Sequence, residues 1–241
     1  MTTAVILQPM FFPWVGYFEQ IRLADVFVFF DDVQMPRGRS LVKRVQVKTR
    51  QGSSWLTVPV RKGGDIAINR VQLDEEGDWR RRHRELLRHA YGQAPYFKEM
   101  MRIADEVYGW DTDSLCDMNC RAIESISRSF GLETRFVRSS SFDVEGRQSH
   151  KLLGLLQQLE ATTYITGHGA RTYLDHELFE RQGIEVAYMD YQRQAYAQLH
   201  GGFDPHVSVL DLIANRGWDG VDVIKSGTVS WREFIDRNGV E

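Results

Sequence analysis

Residues 4–34 read AVILQPMFFPWVGYFEQIRLADVFVFFDDVQ, and this stretch decides the fold. Ala4 to Leu7 is an apolar run soon followed by Pro9, which suits a buried strand and not a helix. Pro9 and Pro13 can neither continue a ladder nor sit inside a helix, so 8–14 is a loop. From there Trp14, Tyr17, Phe18 and Ile21 recur at helical spacing. Val26 to Phe30 is apolar throughout, as expected of a strand covered on both faces. Strand, loop, helix and strand within about 30 residues make a βαβ crossover with a parallel pair. Open parallel sheets bind ligands at the carboxyl ends of their strands. Here those ends carry Gln8-Pro9 and Asp31-Asp32-Val33-Gln34, which are expected to face one another across one crevice.

Downstream, residues 35–53 are basic, with Arg37, Arg39, Lys43, Arg44, Lys48 and Arg50. Alternation around Val45 and Val47 predicts an exposed strand, Gln51-Gly52-Ser53 a turn, and 55–60 a second strand. With a third strand at 66–73, this block is an antiparallel β insertion spanning about 40–73. A helical segment follows over about 78–131. Asp78 is expected to cap a helix running to Tyr91 and stopped by Gly92; Pro95 opens the next, to about Tyr108. Asp111 or Asp113 caps a third, which ends at Gly131.

Beyond it, 134–137 reads as a strand, and Ser149 as the cap of a helix over 151–159. A strand at 163–166 enters Gly167-His168-Gly169-Ala170-Arg171. A short helix to Arg181 and a strand at 184–189 complete a second βαβ-like unit. Ser208 is placed to cap a helix beginning at Val209, and the last residues read as a turn plus one helix around Trp231. The fold class is therefore α/β: a mainly parallel Rossmann-like sheet with an antiparallel β insertion and a helical segment. Residues 1–217 form one domain, and 218–241 a C-terminal extension.

The totals exclude several functions. The 241 residues are 42% hydrophobic and 26% charged, with a formal net charge of -3 and a pI near 6.2. That balance argues against nucleic-acid binding through bulk charge. No apolar run approaches the ~20 residues of a membrane helix, and no signal peptide is evident, so a cytoplasmic location is expected. The two cysteines, Cys116 and Cys120, are too few for a disulfide scaffold. At i, i+4 they share a helix face, but a metal would need two further ligands, and a nucleophile a base; burial in the core is the plainer account. There is no G-x-S-x-G elbow, H-E-x-x-H, zinc-finger spacing or P-loop.

Two loops at strand ends remain as the natural site. The first holds Gln8, Pro9, Trp14 and Tyr17, facing Asp31, Asp32 and Gln34. Paired carboxylates there could bind a cation or orient an amine; the plain alternative is a turn with one capping Asp. The second holds Gly167, His168, Gly169 and Arg171. Glycines beside a basic residue let backbone N–H groups approach an anion, although glycine also simply makes turns. His168 is the best-placed histidine for acid–base work. Arg39 and Arg44 could hold a phosphate, or belong to a solvated face. His83, one turn beyond Trp79, is either a packing residue or one that faces a ligand.

The residues QPMFFPWVGYFEQIRLADVFVFFDDVQ, WLTVPV, the Trp79 and His83 pair, APYF at 94–97, TYITGHGARTYLDHELFERQGIEV and FDPHVSVLDLIANRG together resemble the WbqC-like protein family. The resemblance covers the chain to about Gly217. It departs at 37–44, where the family has a Trp/Asn-containing Arg-rich segment and this chain has RGRSLVKR. It implies a place in surface-polysaccharide or other biosynthetic clusters, and from that setting acyl or aminoacyl transfer onto an amine such as an amino sugar. A fainter resemblance, to nucleotidyltransferase-like α/β folds such as pantothenate synthetase, rests on the order strand, Pro-containing loop, aromatic-x-Gly-aromatic, helix, strand. The His-x-Gly-His signature of those folds is replaced by Trp14-Val15-Gly16-Tyr17, which implies that phosphate activation of that kind is lost.

The function expected is thus a biosynthetic transferase that forms an amide from a carrier-bound thioester or ester. His168, Asp31 and Asp32 would do the proton chemistry. Gln8, Pro9, Trp14, Tyr17, Gln34, Arg39, Arg44, His83, Gly167 and Arg171 would bind substrate. No cofactor motif is present; a phosphopantetheine-bearing acyl or peptidyl carrier protein, or a nucleotide-linked substrate, is the partner such chemistry calls for. The alternatives are a nucleotide-dependent ligase and a non-catalytic scaffold whose aromatic loop grips a partner or sugar.

Overall fold

The computed structural model describes residues 1–38, 40–61, 63 and 66–238. β1 (Thr3–Leu7) runs through the loop 8–14 into α1 (Val15–Arg22) and β2 (Val26–Phe29). β1 and β2 pair in parallel, with Ala4 opposite Val26 and Leu7 opposite Phe29. β3 (Arg44–Thr49) and β4 (Gly52–Thr57) form a separate antiparallel hairpin. Three helices follow: α2 (Trp79–Tyr91), α3 (Phe97–Gly109) and α4 (Leu115–Ser129). The chain then returns to the main sheet through β5 (Arg135–Arg138), α5 (Gln148–Gln158), β6 (Thr163–Thr166), α6 (His176–Arg181) and β7 (Glu185–Asp190). A strap over 191–208 leads to α7 (Val209–Arg216), α8 (Val221–Ile224), β8 (Gly227–Ser230) and α9 (Trp231–Asn238).

The main sheet has the order β5-β2-β1-β6-β7-β8, with five parallel strands and β8 antiparallel to β7. Counting only its own strands in chain order, this is 3-2-1-4-5-6, the doubly wound arrangement. The chain winds outward from β1 to β5, then restarts beside β1 and winds the other way. The crevice of such a sheet therefore lies between the carboxyl ends of β1 and β6. Alternation along the strands separates two cores. Val5, Phe27, Phe29 and Ile165 face α1, the three-helix block and α7. Ala4, Ile6, Val26, Val28, Tyr164 and Val186 face α5, α6 and α9.

Several local expectations change. The 66–73 stretch is not a strand: it holds a 3-10 turn at Ile68–Arg70 and isolated bridges to Gln34, Val60 and Ser114. β3 is not exposed, because the hairpin packs against α2 and α7, and Val45, Val47, Lys48 and Thr49 are buried. The Lys48 ammonium is satisfied by Gln198 Oε1 at 3.1 Å and by the carbonyls of Gly201 and Gly202 in the strap. Ser114, not Asp111 or Asp113, caps α4, accepting from the Asp117 N–H. Ser149 lies inside α5 and accepts from the Asp175 N–H, while Asp78 pairs with Arg81 and leaves α2 without a side-chain cap. Ser208 does cap α7.

Residues 227–230, GTVS, carry no apolar run and were not legible as a strand, yet they pair with β7 as the sheet's edge. The fully buried Glu19 of α1 fastens this segment: it pairs with Arg22 at 2.7 Å and accepts from the Ser226 N–H at 2.8 Å.

Candidate functional site

The loop 8–14 has two prolines and three aromatic residues in seven positions, so its backbone must be held by donors from elsewhere. The Gln8 carbonyl accepts from Tyr17 Oη at 3.0 Å and that of Pro9 from Asn119 Nδ2 at 3.0 Å. The Phe12 carbonyl accepts from Ser208 Oγ at 2.8 Å and that of Pro13 from the Val209 N–H at 2.9 Å. Elements from α1, α4 and α7 thus fix one loop. Phe12 is fully buried with φ of 39°, a left-handed conformation that costs roughly 1–2 kcal/mol outside glycine. The bonds to the Phe12 and Pro13 carbonyls hold the chain in this conformation.

Gly16 explains how Trp14 sits. A Cβ at position 16 would lie 2.2 Å from the indole ring, so the ring rests on the glycine. Val15 and Gly16, in the first turn of α1, are buried. In dinucleotide-binding sheets the equivalent turn presents free N–H groups to a pyrophosphate; here it is covered.

Beside Trp14 is a cavity of about 250 Å3, lined by Trp14, Gln20, Gly167, His168, Gly169, Met189, Tyr191 and Arg193. It lies at the β1/β6 switch point, extended by the end of β7. Trp14 and Tyr191 meet edge to face at 5.4 Å. Burial, then the Glu19 charge, push the Tyr191 phenol up to about 12, while Arg193 draws it down. Gln20 is 4% exposed and its Oε1 has no hydrogen-bond partner. His168 is exposed, packs on Phe234 at 4.8 Å, and lies with Nε2 3.0 Å from the Met189 carbonyl. A carbonyl only accepts, so Nε2 carries a proton, and in the neutral ring the lone pair is on Nδ1. Arg193 forms no ion pair among the described residues, and no carboxylate lines the cavity.

The other strand end is built differently. Asp31 is fully buried at the end of β2. Its Oδ1 accepts from Ser139 Oγ at 3.0 Å and the Ser140 N–H at 2.9 Å, and its Oδ2 from Ser140 Oγ at 2.8 Å. Asp32 Oδ1 lies 2.5 Å from the same Ser139 Oγ, whose one proton the two carboxylates share, and Asp32 pairs with Lys151 at 2.6 Å. These partners follow β5 or lie on α5. Neither carboxylate lines the His168 cavity.

A family model described as the WbqC-like protein family matches residues 8–223. The chain belongs to the WbqC-like family. It is 34% identical over 228 residues to the uncharacterized protein Rv1507c of Mycobacterium tuberculosis (strain ATCC 25618 / H37Rv), covering 93% of this chain and 98% of that protein. No solved structure matches.

In this WbqC-like protein, Trp14, Gly167 and His168 line one cavity together with residues the sequence did not single out: Gln20, Met189, Tyr191 and Arg193. A third strand end, after β7, was the available signal. Gln8, Pro9 and Tyr17 shape the loop without lining the cavity; burial raises the Tyr17 pKa. Gln34 is exposed and bridges Ala67. Arg44 lies over the Trp55 ring at 3.9 Å, in the hairpin. Arg171 is exposed, and its charge reaches Tyr188, whose pKa burial raises to about 12. Arg39 lies outside the described residues.

His83 is 7% exposed, with Nδ1 3.2 Å from Tyr108 Oη and its ring against Trp79 and Phe11. Burial lowers its pKa to about 4, which keeps it neutral in the helical core. Cys116 and Cys120 are buried, with sulfurs 3.9 Å apart, and burial pushes the Cys120 thiol up. Among the described residues no cluster of His, Cys, Asp or Glu is placed to hold a metal, and no helix is long and apolar enough to cross a membrane.

Proposed function

We propose that this WbqC-like protein is a biosynthetic transferase that forms an amide, moving an activated acyl or aminoacyl group from a thioester or ester to an amine such as an amino sugar. The observation that carries this reading is His168, held at the switch-point cavity with Nε2–H on the Met189 carbonyl and Nδ1 as its lone pair. The cavity volume of about 250 Å3 lies just below the ~300–1,000 Å3 of small-molecule sites, which fits one sugar ring better than a dinucleotide. Trp14 and Tyr191 offer aromatic faces to that ring. Gln20 offers an unpartnered carbonyl oxygen to an amine N–H, and Arg193 a cation to a phosphate-bearing tail. The amine nitrogen attacks the acyl carbon, the C–N bond forms and the C–S or C–O bond breaks. His168 Nδ1 takes the proton from nitrogen and returns it to the leaving group. An activated ester needs little beyond proximity and one base. Asp31 and Asp32 act as positioning residues: they brace the end of β2 against β5 and α5.

Incubating the protein with a short acyl or aminoacyl thioester and an amino-sugar nucleotide, with product detection by mass spectrometry, tests this. Amide formation that His168→Ala does not slow would remove the assigned base. The 3-2-1-4-5-6 order favours a second reading, a nucleotide-dependent ligase; ATP-dependent pyrophosphate release in the same assay would select it. Tight partner binding without turnover would select the scaffold.

A further inference from the structure

Trp14 also lines a second cavity, one that the reaction outlined above does not use. It is a groove of about 300 Å3 between the loop 8–14 and the hairpin, walled by Met10, Phe11, Pro13, Leu41 and Trp55 and edged by Arg44 and His206. Two features set it apart from ordinary surface. Leu41 is 42% exposed and Trp55 41%, both among the few large hydrophobic side chains left open to solvent, and both line this groove. Apolar side chains gathered in a concave place mark a binding site, whereas scattered ones do not. Second, Arg44 stacks on Trp55 with its guanidinium carbon 3.9 Å from the ring centroid. Stacking fixes the plane of the group and leaves its N–H edge for an acceptor. Arg44 has no ion-pair partner among the described residues, its Nε is buried without a hydrogen bond, and no carboxylate is among the residues lining the groove.

We infer that this groove binds an apolar acyl chain or arm that carries an anionic group, the apolar part lying between Leu41, Trp55 and Phe11 and the anion meeting Arg44. Its role as the acyl-donor site rests on the transferase proposed above; its binding of such a ligand does not. Shared by both cavities, Trp14 would then separate donor from acceptor. A carboxylate on the acyl group and the phosphate of a pantetheine-type arm present the same chemistry to Arg44.

Titration calorimetry with hexanoate, hexyl phosphate and 1-hexanol as probes separates these sources. At least one anionic probe is expected to bind roughly tenfold or more tightly than the alcohol, a difference of ~1.4 kcal/mol. A preference for hexyl phosphate indicates the arm, and for hexanoate the acyl carboxylate. Arg44→Leu is expected to abolish the preference, and Trp55→Ala to weaken every probe, both with far-UV circular dichroism and melting like the parent. Arg44→Lys, which keeps the charge without the planar stack, is expected to retain part of the preference and serves if Arg44→Leu does not fold. No binding, equal binding of anion and alcohol, or a preference surviving Arg44→Leu would each overturn the groove assignment. Probe binding without amide formation would instead fault only the transferase.

Discussion

Two corners of one sheet edge carry polar residues in this protein, and they meet opposite fates. At the end of β2, Asp31 and Asp32 are surrounded by donors: Ser139, Ser140 and Lys151 occupy their oxygens. At the ends of β1, β6 and β7, Gln20 has a carbonyl oxygen without a donor, Arg193 a charge without a carboxylate among the described residues, and His168 a lone pair on Nδ1. Buried polar groups are nearly always satisfied by the protein or by ordered water; of this second set Gln20 is the buried one, while Arg193 and His168 stand exposed to solvent. The corner that satisfies its own groups is a brace, and the one that leaves them open is where a ligand has something to add. Polarity after a buried strand therefore marks a candidate edge of a sheet without saying which crevice along it is open to a ligand.

That contrast can be broken most directly at His168. His168→Ala is expected to slow amide formation roughly 10²–10⁴-fold and to change stability by about 1 kcal/mol or less, read from transfer kinetics and urea unfolding. Asp31→Ala should do the reverse, lowering unfolding free energy by about 3–4 kcal/mol through the orphaned Ser139 and Ser140 donors. If a folded Asp31→Ala protein kept its stability and lost turnover instead, the brace and the site would have to be exchanged.

A third prediction sharpens what satisfaction means for a buried charge. Asp211 is fully buried, accepts from Tyr196 Oη at 2.9 Å, and is pushed by burial up to about 6 from 3.8. Its folded form holds a proton that the unfolded chain has already lost, so stability falls as pH rises from about 4 to 6. His83, lowered by burial to about 4 from 6.5, has the opposite sign: the unfolded chain takes up the proton first, and stability is lost as pH falls through that range. Each effect amounts to about 3 kcal/mol over its window, and they largely cancel. Asp211→Asn is expected to leave a protein whose denaturation midpoint climbs from pH 4 to 6, and His83→Gln one whose midpoint declines. Parallel pH profiles for parent and variants would contradict both assignments.

The smallest expected effect is at Gly16. Gly16→Ala places a methyl where the Trp14 ring lies, which should cost about 1–2 kcal/mol of stability. It should also turn the indole away, weakening ligand binding in both cavities that Trp14 lines. A melting temperature and probe affinities equal to the parent's would show that the indole does not need that seat.

Much of this architecture was legible because hydrophobic period and punctuation are local. The VFVF of β2, the helix from Trp79 to Tyr91 and the Ser208 cap all announce themselves within a few residues. Where the signal is not local, legibility fails. The strand at Gly227–Ser230 exists because β7 offers an edge and Glu19 holds Ser226; its own four residues have little strand character. β3 has charged residues in alternation, yet it is buried, because Lys48 finds its acceptors about 150 positions away in the strap. At the candidate site, Gly167 and His168 were visible as a glycine-flanked histidine after a strand. Gln20, inside α1, and Arg193, in the strap, carry no mark in sequence, since their significance is a neighbour they lack.

By itself the sequence determined the α/β class, the opening βαβ unit, the family to which the chain belongs, and the sheet edge at which polar residues gather. These follow from periodicity, proline and glycine placement, and a long motif, all read within short windows. Tertiary structure alone decided that Asp31 and Asp32 are tied to Ser139, Ser140 and Lys151, that the Trp14 ring seats on Gly16 and covers the first turn of α1, and that His168 shares its crevice with Gln20 and Arg193. Which donors reach a buried acceptor depends on where strands β5, β6 and β7 bring their ends, and that order is set by how the whole chain winds.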